Sequence, residues 1–192
     1  MANPNNPEID SLTRTQILIV MGVTALILLT IAKLWQQLGS VPILHWEFNA
    51  TAFLLGISLA LGIILISSII YRLWPAYRLS ADLYLELVLK PLLWPDLIWL
   101  GLLPGLSEEL LFRGVMLPAL GLNLMAVIIS SVVFGILHLS GVQQWPYAVW
   151  ATVVGFILGY SALVTDNLLI PIIAHIITNL LSSSLWKLRN NE

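Results

Sequence analysis

The sequence contains no cysteine, and it has few charged residues of either sign. The absence of cysteine excludes disulfide bonds, thiolate metal ligands and a cysteine nucleophile. Only 9% of the 192 residues are charged, whereas a soluble domain carries about 25%. With eight Lys and Arg residues and a net charge of −2, the chain also lacks the basic surface that binds nucleic acid, so no nucleic-acid partner is expected.

Apolar residues make up 59% of the sequence, and its mean hydropathy is +0.94. So few charges cannot cover a globular surface, and we therefore predict an integral, multi-pass membrane protein in a lipid bilayer. The fold expected is all-α: a polytopic transmembrane helix bundle of about six spans, with a polar site buried between spans. The predicted spans are residues 17–35, 50–71, 96–117, 122–139, 147–164 and 168–186.

The remaining segments divide the chain by composition. Residues 1–15 form a polar tail rich in Asn and Pro, which is predicted to be disordered. Residues 16–95 hold the first two spans and a polar loop, 72–95, whose pattern favours a short interfacial helix. Residues 96–187 form a core that carries most of the unusual polar groups, and 188–192 are a C-terminal tail.

The basic residues predict an orientation in the membrane. Cytoplasmic loops carry an excess of Lys and Arg. In the six-span model the bases fall mainly on one side, which predicts both termini in the cytoplasm and a protein of the cell membrane. That side holds Arg14, Arg72, Arg78, Lys90, Lys187 and Arg189, against Lys33 and Arg113 on the other.

A small set of polar residues stands out within the apolar core. Each is expensive to bury unless it has a partner or a function. They come from three separate predicted spans and are most easily satisfied if they converge. The set is Glu108, Glu109, Arg113, His138, His175 and Asn179.

The first three of these residues differ in their helical positions. Glu109 and Arg113 are four residues apart, so they lie on one helix face and can form an ion pair. Glu108 is about 140° around the helix from Arg113 and is left without that partner. A structural alternative places Glu108 at a helix N-terminus after a break at Pro104, with Ser107 as the cap.

The remaining residues suggest hydrolytic chemistry. Glu108 with a histidine can hold and deprotonate a water molecule. Glu108, His138 and His175 could instead bind a metal such as zinc with one open position, and His175 with Asn179 could donate hydrogen bonds to an oxyanion. His138 falls late in its predicted span and His175 early, so their convergence requires a tilted or broken helix.

Three motifs in the second half of the chain resemble a known family. The motifs are Glu108-Glu109-Leu-Leu-Phe-Arg113, Phe134-x-x-x-His138 and His175-x-x-x-Asn179. Their pattern is similar to that of the CPBP family, which comprises the CAAX proteases, including those like CAAX prenyl protease 2, and bacteriocin-processing or immunity proteins, also called the Abi family. The resemblance covers about residues 96–186.

The resemblance implies an intramembrane endopeptidase whose substrate is a membrane-embedded peptide or protein. In that family Glu108 and His138 would activate water, and His175 and Asn179 would stabilise the oxyanion. Glu109 and Arg113 would be supporting residues. The family has also been described as metal-dependent, so the resemblance leaves the cofactor open between zinc and none.

Two other functions fit the same residues. One is a non-proteolytic membrane scaffold or bacteriocin-immunity protein on the same fold. The other is a small transporter in which the buried polar groups form a path for protons or ions. A phenotype that persists after Glu108 is neutralised would favour the first, and flux in liposomes would favour the second.

Overall fold

The computed structural model describes residues 12–190, and all regular secondary structure in that range is helical. The predicted disorder of residues 1–11 lies outside the described residues, as do the last two residues of the predicted C-terminal tail. Residues 14 and 15, which were assigned to the tail, instead belong to the first helix. Thr13 and Gln16 form a capping box that starts the helix at this point.

Eight α-helices follow one another along the described chain. A π-helical segment, Leu110–Met116, joins the fourth helix to the fifth, and short 3-10 turns precede the fourth and seventh. The helices are α1 (Arg14–Leu38), α2 (Ala50–Leu73), α3 (Pro75–Leu89), α4 (Leu97–Glu109), α5 (Leu117–Ala119), α6 (Leu124–Leu137), α7 (Trp145–Thr165) and α8 (Leu169–Asn190).

Four of the helices in residues 12–190 are long and apolar enough to cross a membrane by themselves: α1, α2, α7 and α8. Helix α3 and the segment Trp94–Ala119 pass the same test together, but a bend of 110° separates them. Helix α6 is apolar and shorter, with 14 residues. The six predicted spans therefore correspond in order to α1, α2, α4 with its extension, α6, α7 and α8, which confirms the all-α membrane bundle.

Two ridges of small residues lie at helix contacts: Ala52, Gly56 and Ala60 on α2, and Ala151, Gly155 and Gly159 on α7. Gly56 of α2 faces Ile173 of α8, and a Cβ there would come within 2.7 Å of the isoleucine Cβ. Gly159 of α7 faces Val127 of α6, and a Cβ at Gly159 would lie 3.2 Å from the valine side chain. Small residues let neighbouring backbones approach closely in a membrane, so these ridges fix the packing of α2 on α8 and of α6 on α7.

A third ridge consists of Gly101 and Gly105 on α4. A Cβ at Gly101 would lie 2.6 Å from the Leu180 side chain, and one at Gly105 would lie 2.5 Å from that of Ile176. The two glycines therefore bring α4 against α8. This contact sets the two helices that carry the first and third motifs next to each other.

The predicted break at Pro104 is wrong, because α4 continues as an α-helix from Leu97 to Glu109. Packing of the flanking glycines against α8 outweighs the loss of one hydrogen bond at the proline. Ser107 lies inside the helix and donates its hydroxyl proton to the Leu103 carbonyl at 2.7 Å, so it is not a helix cap. Glu108 therefore does not lie at a helix N-terminus, and that structural alternative is also wrong.

The irregular part of this span comes after the acidic pair, in the π-helix Leu110–Met116. In an α-helix the Gly114 carbonyl would accept a hydrogen bond from the backbone N–H of residue 118, but Pro118 has no such N–H. The Gly114 carbonyl instead accepts a hydrogen bond from the Leu44 backbone N–H at 2.9 Å. This bond ties the α1–α2 loop to the span that carries the first motif.

Candidate active site

The polar residues predicted from the sequence come from three helices and meet inside the bundle. Glu108 and Glu109 are the last two residues of α4, His138 caps the C-terminus of α6, and His175 and Asn179 lie on α8. A cavity of about 220 Å³ is lined by four of the predicted residues: Glu108, His138, His175 and Asn179. Arg113 lies behind them in the π-helix.

A fully buried ion pair supports one wall of this site. The Arg113 Nη1–H donates to Glu109 Oε1 at 2.8 Å, and both side chains have no solvent exposure. The Arg113 Nη2–H donates to the Gly155 carbonyl of α7 at 2.8 Å. A Cβ at position 155 would lie 3.3 Å from the guanidinium, so a glycine there leaves room for this contact.

Glu109 has a second partner that the sequence did not indicate. Its Oε1 lies 2.7 Å from Nδ1 of His175. The pairing of Glu109 with Arg113 was predicted to satisfy the two residues by themselves, but the carboxylate also holds the imidazole of the third motif. Glu109 thus joins the ion pair to His175 and fixes the orientation of that ring.

Phe134, the first residue of the second motif, packs against several of these groups. Its ring centroid lies 4.5 Å from the His138 ring and 6.1 Å from the His175 ring. The Arg113 guanidinium carbon lies 4.7 Å from the same centroid, within the range of a cation–π interaction. One aromatic ring therefore packs against the buried arginine and against both histidines.

Hydrogen bonds define the tautomer of both histidines. Nδ1 of His138 lies 2.8 Å from the Phe134 carbonyl, which can only accept, so Nδ1 carries the proton. Nδ1 of His175 likewise carries a proton toward the Glu109 carboxylate. In the neutral form of each ring, Nε2 is then an acceptor with a free lone pair.

Both of these Nε2 atoms face the Glu108 carboxylate. Glu108 Oε2 lies 3.9 Å from Nε2 of His138 and 4.0 Å from Nε2 of His175. Within the described residues this oxygen is buried and has no hydrogen-bond partner. One water molecule that forms hydrogen bonds of about 2.8 Å to the Glu108 oxygen and to an imidazole nitrogen would hold these two atoms about 4 Å apart. The observed spacing therefore fits contacts bridged by water.

The spacing of the same atoms can be compared with that of the ligands of a zinc ion. Ligands around a tetrahedral zinc stand about 2.0–2.1 Å from the ion and hence about 3.4 Å from each other. The distances of 3.9 and 4.0 Å from the Glu108 oxygen exceed that spacing. In the described part of the chain, no group of three or more His, Cys, Asp or Glu is arranged to hold a metal ion. The predicted zinc site of Glu108, His138 and His175 would therefore require these side chains to move closer together.

The short length of α6 helps His138 reach His175. Helix α6 has 14 residues and rises about 21 Å at 1.5 Å per residue. Its last residue is Leu137, so His138 stands at the end of a helix shorter than the predicted span 122–139. The contacts of Phe134 with both rings show that the late histidine of α6 and the early histidine of α8 meet.

Several residues that line the cavity were not predicted from the sequence. Thr178 lies on α8 between the two predicted residues of that helix. Tyr147 of α7 lies 6.4 Å from the His138 ring, and Tyr84 of α3 stacks on Tyr147 at 4.7 Å, measured between ring centroids. Aromatic residues are common at membrane interfaces, so nothing in their type distinguished these two.

Comparisons with known proteins give a family match for the part of the chain that carries these residues. Residues 90–181 match the model of a family described as type II CAAX prenyl endopeptidase Rce1-like. An uncharacterized protein of Bacillus subtilis (strain 168), YpbD, is 30% identical over 122 residues, which are 64% of this chain and 62% of that protein. The chain thus spans less than two thirds of this relative. A search of the solved structures gave no significant match.

The apolar helices are those of a multi-pass integral membrane protein, and residues 90–181 are similar to the type II CAAX prenyl endopeptidase family. The resemblance to the CPBP family, predicted from the three motifs, is thereby confirmed for residues 90–181. All three motifs lie within the matched range.

Proposed function

We propose that this protein is an intramembrane endopeptidase that hydrolyses a peptide bond of a membrane-associated protein or peptide. The observation that carries the proposal is the convergence of three helices on Glu108. Its buried Oε2 is about equally distant, 3.9 and 4.0 Å, from the Nε2 atoms of His138 and His175. A carboxylate held near two imidazole acceptors is suited to bind and deprotonate water.

In the proposed reaction Glu108 is the general base and His138 positions the water. The water oxygen forms a bond to the carbonyl carbon of the scissile peptide, and its proton moves to the Glu108 carboxylate. The electrons of the carbonyl double bond move to the carbonyl oxygen, which becomes an oxyanion. Asn179 faces this oxygen as a donor, and His175 can donate to it when the ring carries two protons.

The second half of the reaction returns the proton. The oxyanion re-forms the carbonyl as the bond from carbon to nitrogen breaks, and protonated Glu108 gives its proton to the departing amine. The products are a carboxylic acid and an amine, and the base is regenerated. Fixing the atoms at short range in a buried site lowers the barrier through orientation and electrostatic stabilisation.

The surroundings of Glu108 support an extended substrate. A second cavity of about 210 Å³ lies between α1, α3 and α4, and Glu108 also lines this cavity. Tyr84, Leu100 and Pro104 are common to both cavities. A peptide that passes Glu108 would thus have apolar surface on either side of the scissile bond, as an endopeptidase requires.

The test is a cleavage assay in proteoliposomes with a library of internally quenched peptides. Part of the library carries an N-terminal palmitoyl chain and part a C-terminal farnesyl cysteine. Cleavage by the wild type and its loss in Glu108→Gln would support the proposal. If no peptide is cleaved while a cellular phenotype survives in Glu108→Gln, a scaffold or immunity protein is the better description, and ion flux would favour a transporter.

We expect cleavage to be insensitive to metal chelators. The Glu108 oxygen is farther from both imidazoles than zinc ligands are from each other. In the proposed reaction the carboxylate therefore takes the proton of the water without the help of a metal ion. Incubation with 1,10-phenanthroline should change the initial rate by less than about twofold, because the chelator would have no catalytic metal ion to remove. Loss of activity that Zn²⁺ restores would establish the metal-dependent alternative and contradict this prediction.

We also propose that both termini face the cytoplasm of a cell membrane. Two ion pairs support a common side for the basic segments, because they lie at one end of the bundle: Arg14–Asp96 at 2.7 Å and Arg189–Asp82 at 3.6 Å. Since the natural chain has no cysteine, single cysteines can report the orientation. A membrane-impermeant maleimide should label Lys33→Cys in intact cells and should not label Arg78→Cys. The reverse pattern would contradict the proposed orientation.

A further inference from the structure

Thr178 has an unusual hydroxyl group. Its Oγ1 is buried and has no hydrogen-bond partner among the described residues. The residue lies three positions after His175 and directly before Asn179, and it lines the same cavity as both. A buried polar atom without a partner calls for an explanation, and catalysis is one of the established ones.

Other buried hydroxyls in the helices behave differently. Ser107, Ser130, Ser131 and Ser183 each donate to a backbone carbonyl three or four residues earlier. Threonines such as Thr152 do the same within α7. The carbonyl of Ala174 is the corresponding acceptor for Thr178 within α8. The Thr178 hydroxyl does not use it, which leaves the proton of this group free for another acceptor.

The hydrogen bond between His175 and Glu109 creates a need for such a donor. The Nδ1 proton of His175 is directed at Glu109, at 2.7 Å. A neutral His175 therefore offers only an acceptor at Nε2 and cannot stabilise an oxyanion. The amide of Asn179 is a donor in every protonation state, and the Thr178 hydroxyl is the next donor on the same turn of α8.

We propose that Thr178 is a further catalytic residue, whose hydroxyl donates a hydrogen bond to the oxyanion beside Asn179. This assignment rests on the proposed endopeptidase function. The hydroxyl supplies no proton to the products, because its bond forms as negative charge develops on the carbonyl oxygen and is released when the carbonyl re-forms. Its contribution therefore belongs to the transition state and not to substrate binding.

Three variants test the assignment in proteoliposomes, with the peptide of the library that the wild type cleaves fastest. Thr178→Val removes the hydroxyl at nearly constant volume and should lower kcat by about 10- to 100-fold while KM changes by less than about threefold. Thr178→Ser keeps the hydroxyl and should stay within about threefold of the wild type. Thr152→Val removes a hydroxyl that donates to the Ala148 carbonyl and is the matched control, with unchanged kcat expected.

The outcomes separate this inference from the proposed function. Normal cleavage by Thr178→Val, together with loss of cleavage in Glu108→Gln, would overturn the role of Thr178 and leave the endopeptidase intact. Undiminished cleavage by Glu108→Gln, or no cleavage by the wild type, would overturn both. A Thr178→Val protein that fails to fold would also overturn the inference, since a hydroxyl whose partner is the substrate is not needed for folding.

Discussion

Glu108→Gln is expected to lower the cleavage rate by about a thousandfold, since a general base contributes roughly 10²- to 10⁴-fold. Glutamine has nearly the same shape and can still accept a hydrogen bond from water. It cannot take the proton of that water, so the attack on the carbonyl loses its base. Initial rates in proteoliposomes, measured at saturating peptide, report this change as a loss of kcat.

Glu86→Gln is the matched control for this substitution. Glu86 lies on the exposed face of α3 and pairs with Lys90 at 2.9 Å, with both side chains more than half exposed. Such surface pairs contribute little to stability. The control should keep the wild-type rate, whereas a Glu108→Gln enzyme within threefold of that rate would show that Glu108 is not the base.

The same variant can identify the substrate. If Glu108 acts in the chemical step alone, the glutamine variant still binds the peptide and releases it uncleaved. Capture from native membranes by Glu108→Gln, compared with Glu108→Gln/His138→Ala, should enrich proteins that carry the cleavage sequence. Mass spectrometry of the captured proteins would give the sequence on both sides of the scissile bond.

The positions of these side chains could be predicted from the sequence where a local rule applied. The spacing of Glu109 and Arg113 is a property of a single helix, and the predicted ion pair forms at 2.8 Å. Apolar segment lengths likewise predicted the order of the helices. The cost of burying Glu108, His138, His175 and Asn179 in an apolar bundle indicated that these residues would meet, and all four line one cavity.

The features that escaped prediction depend on contacts between helices. The bond from His175 to Glu109 joins residues of α8 and α4, and nothing in either segment requires it. The continuity of α4 through Pro104 depends on its packing against α8, which outweighs the local preference of proline. Thr178 is an ordinary helical residue by type, and it is distinguished by a hydroxyl that has no hydrogen-bond partner within residues 12–190.

Arg113→Met is expected to destabilise the protein by about 3–5 kcal/mol, because it leaves the Glu109 carboxylate buried without its charge partner. Both side chains are fully buried, so solvent cannot compensate for the loss. Titration with SDS in mixed micelles, followed by circular dichroism, measures the shift. Arg78→Met removes an exposed arginine from α3 and should leave the transition unchanged.

A double variant separates the two functions of Glu109. Glu109→Leu/Arg113→Met removes both buried charges, and replacement of a buried pair by apolar groups is often neutral for stability. We therefore expect most of the lost stability to return. Activity should stay about 10- to 100-fold low, because a partner that orients a functional histidine contributes roughly that factor, and His175 Nδ1 has lost its acceptor. If stability and activity return together, Glu109 neutralises Arg113 and does not orient His175; if neither returns, the pair is required for the fold itself.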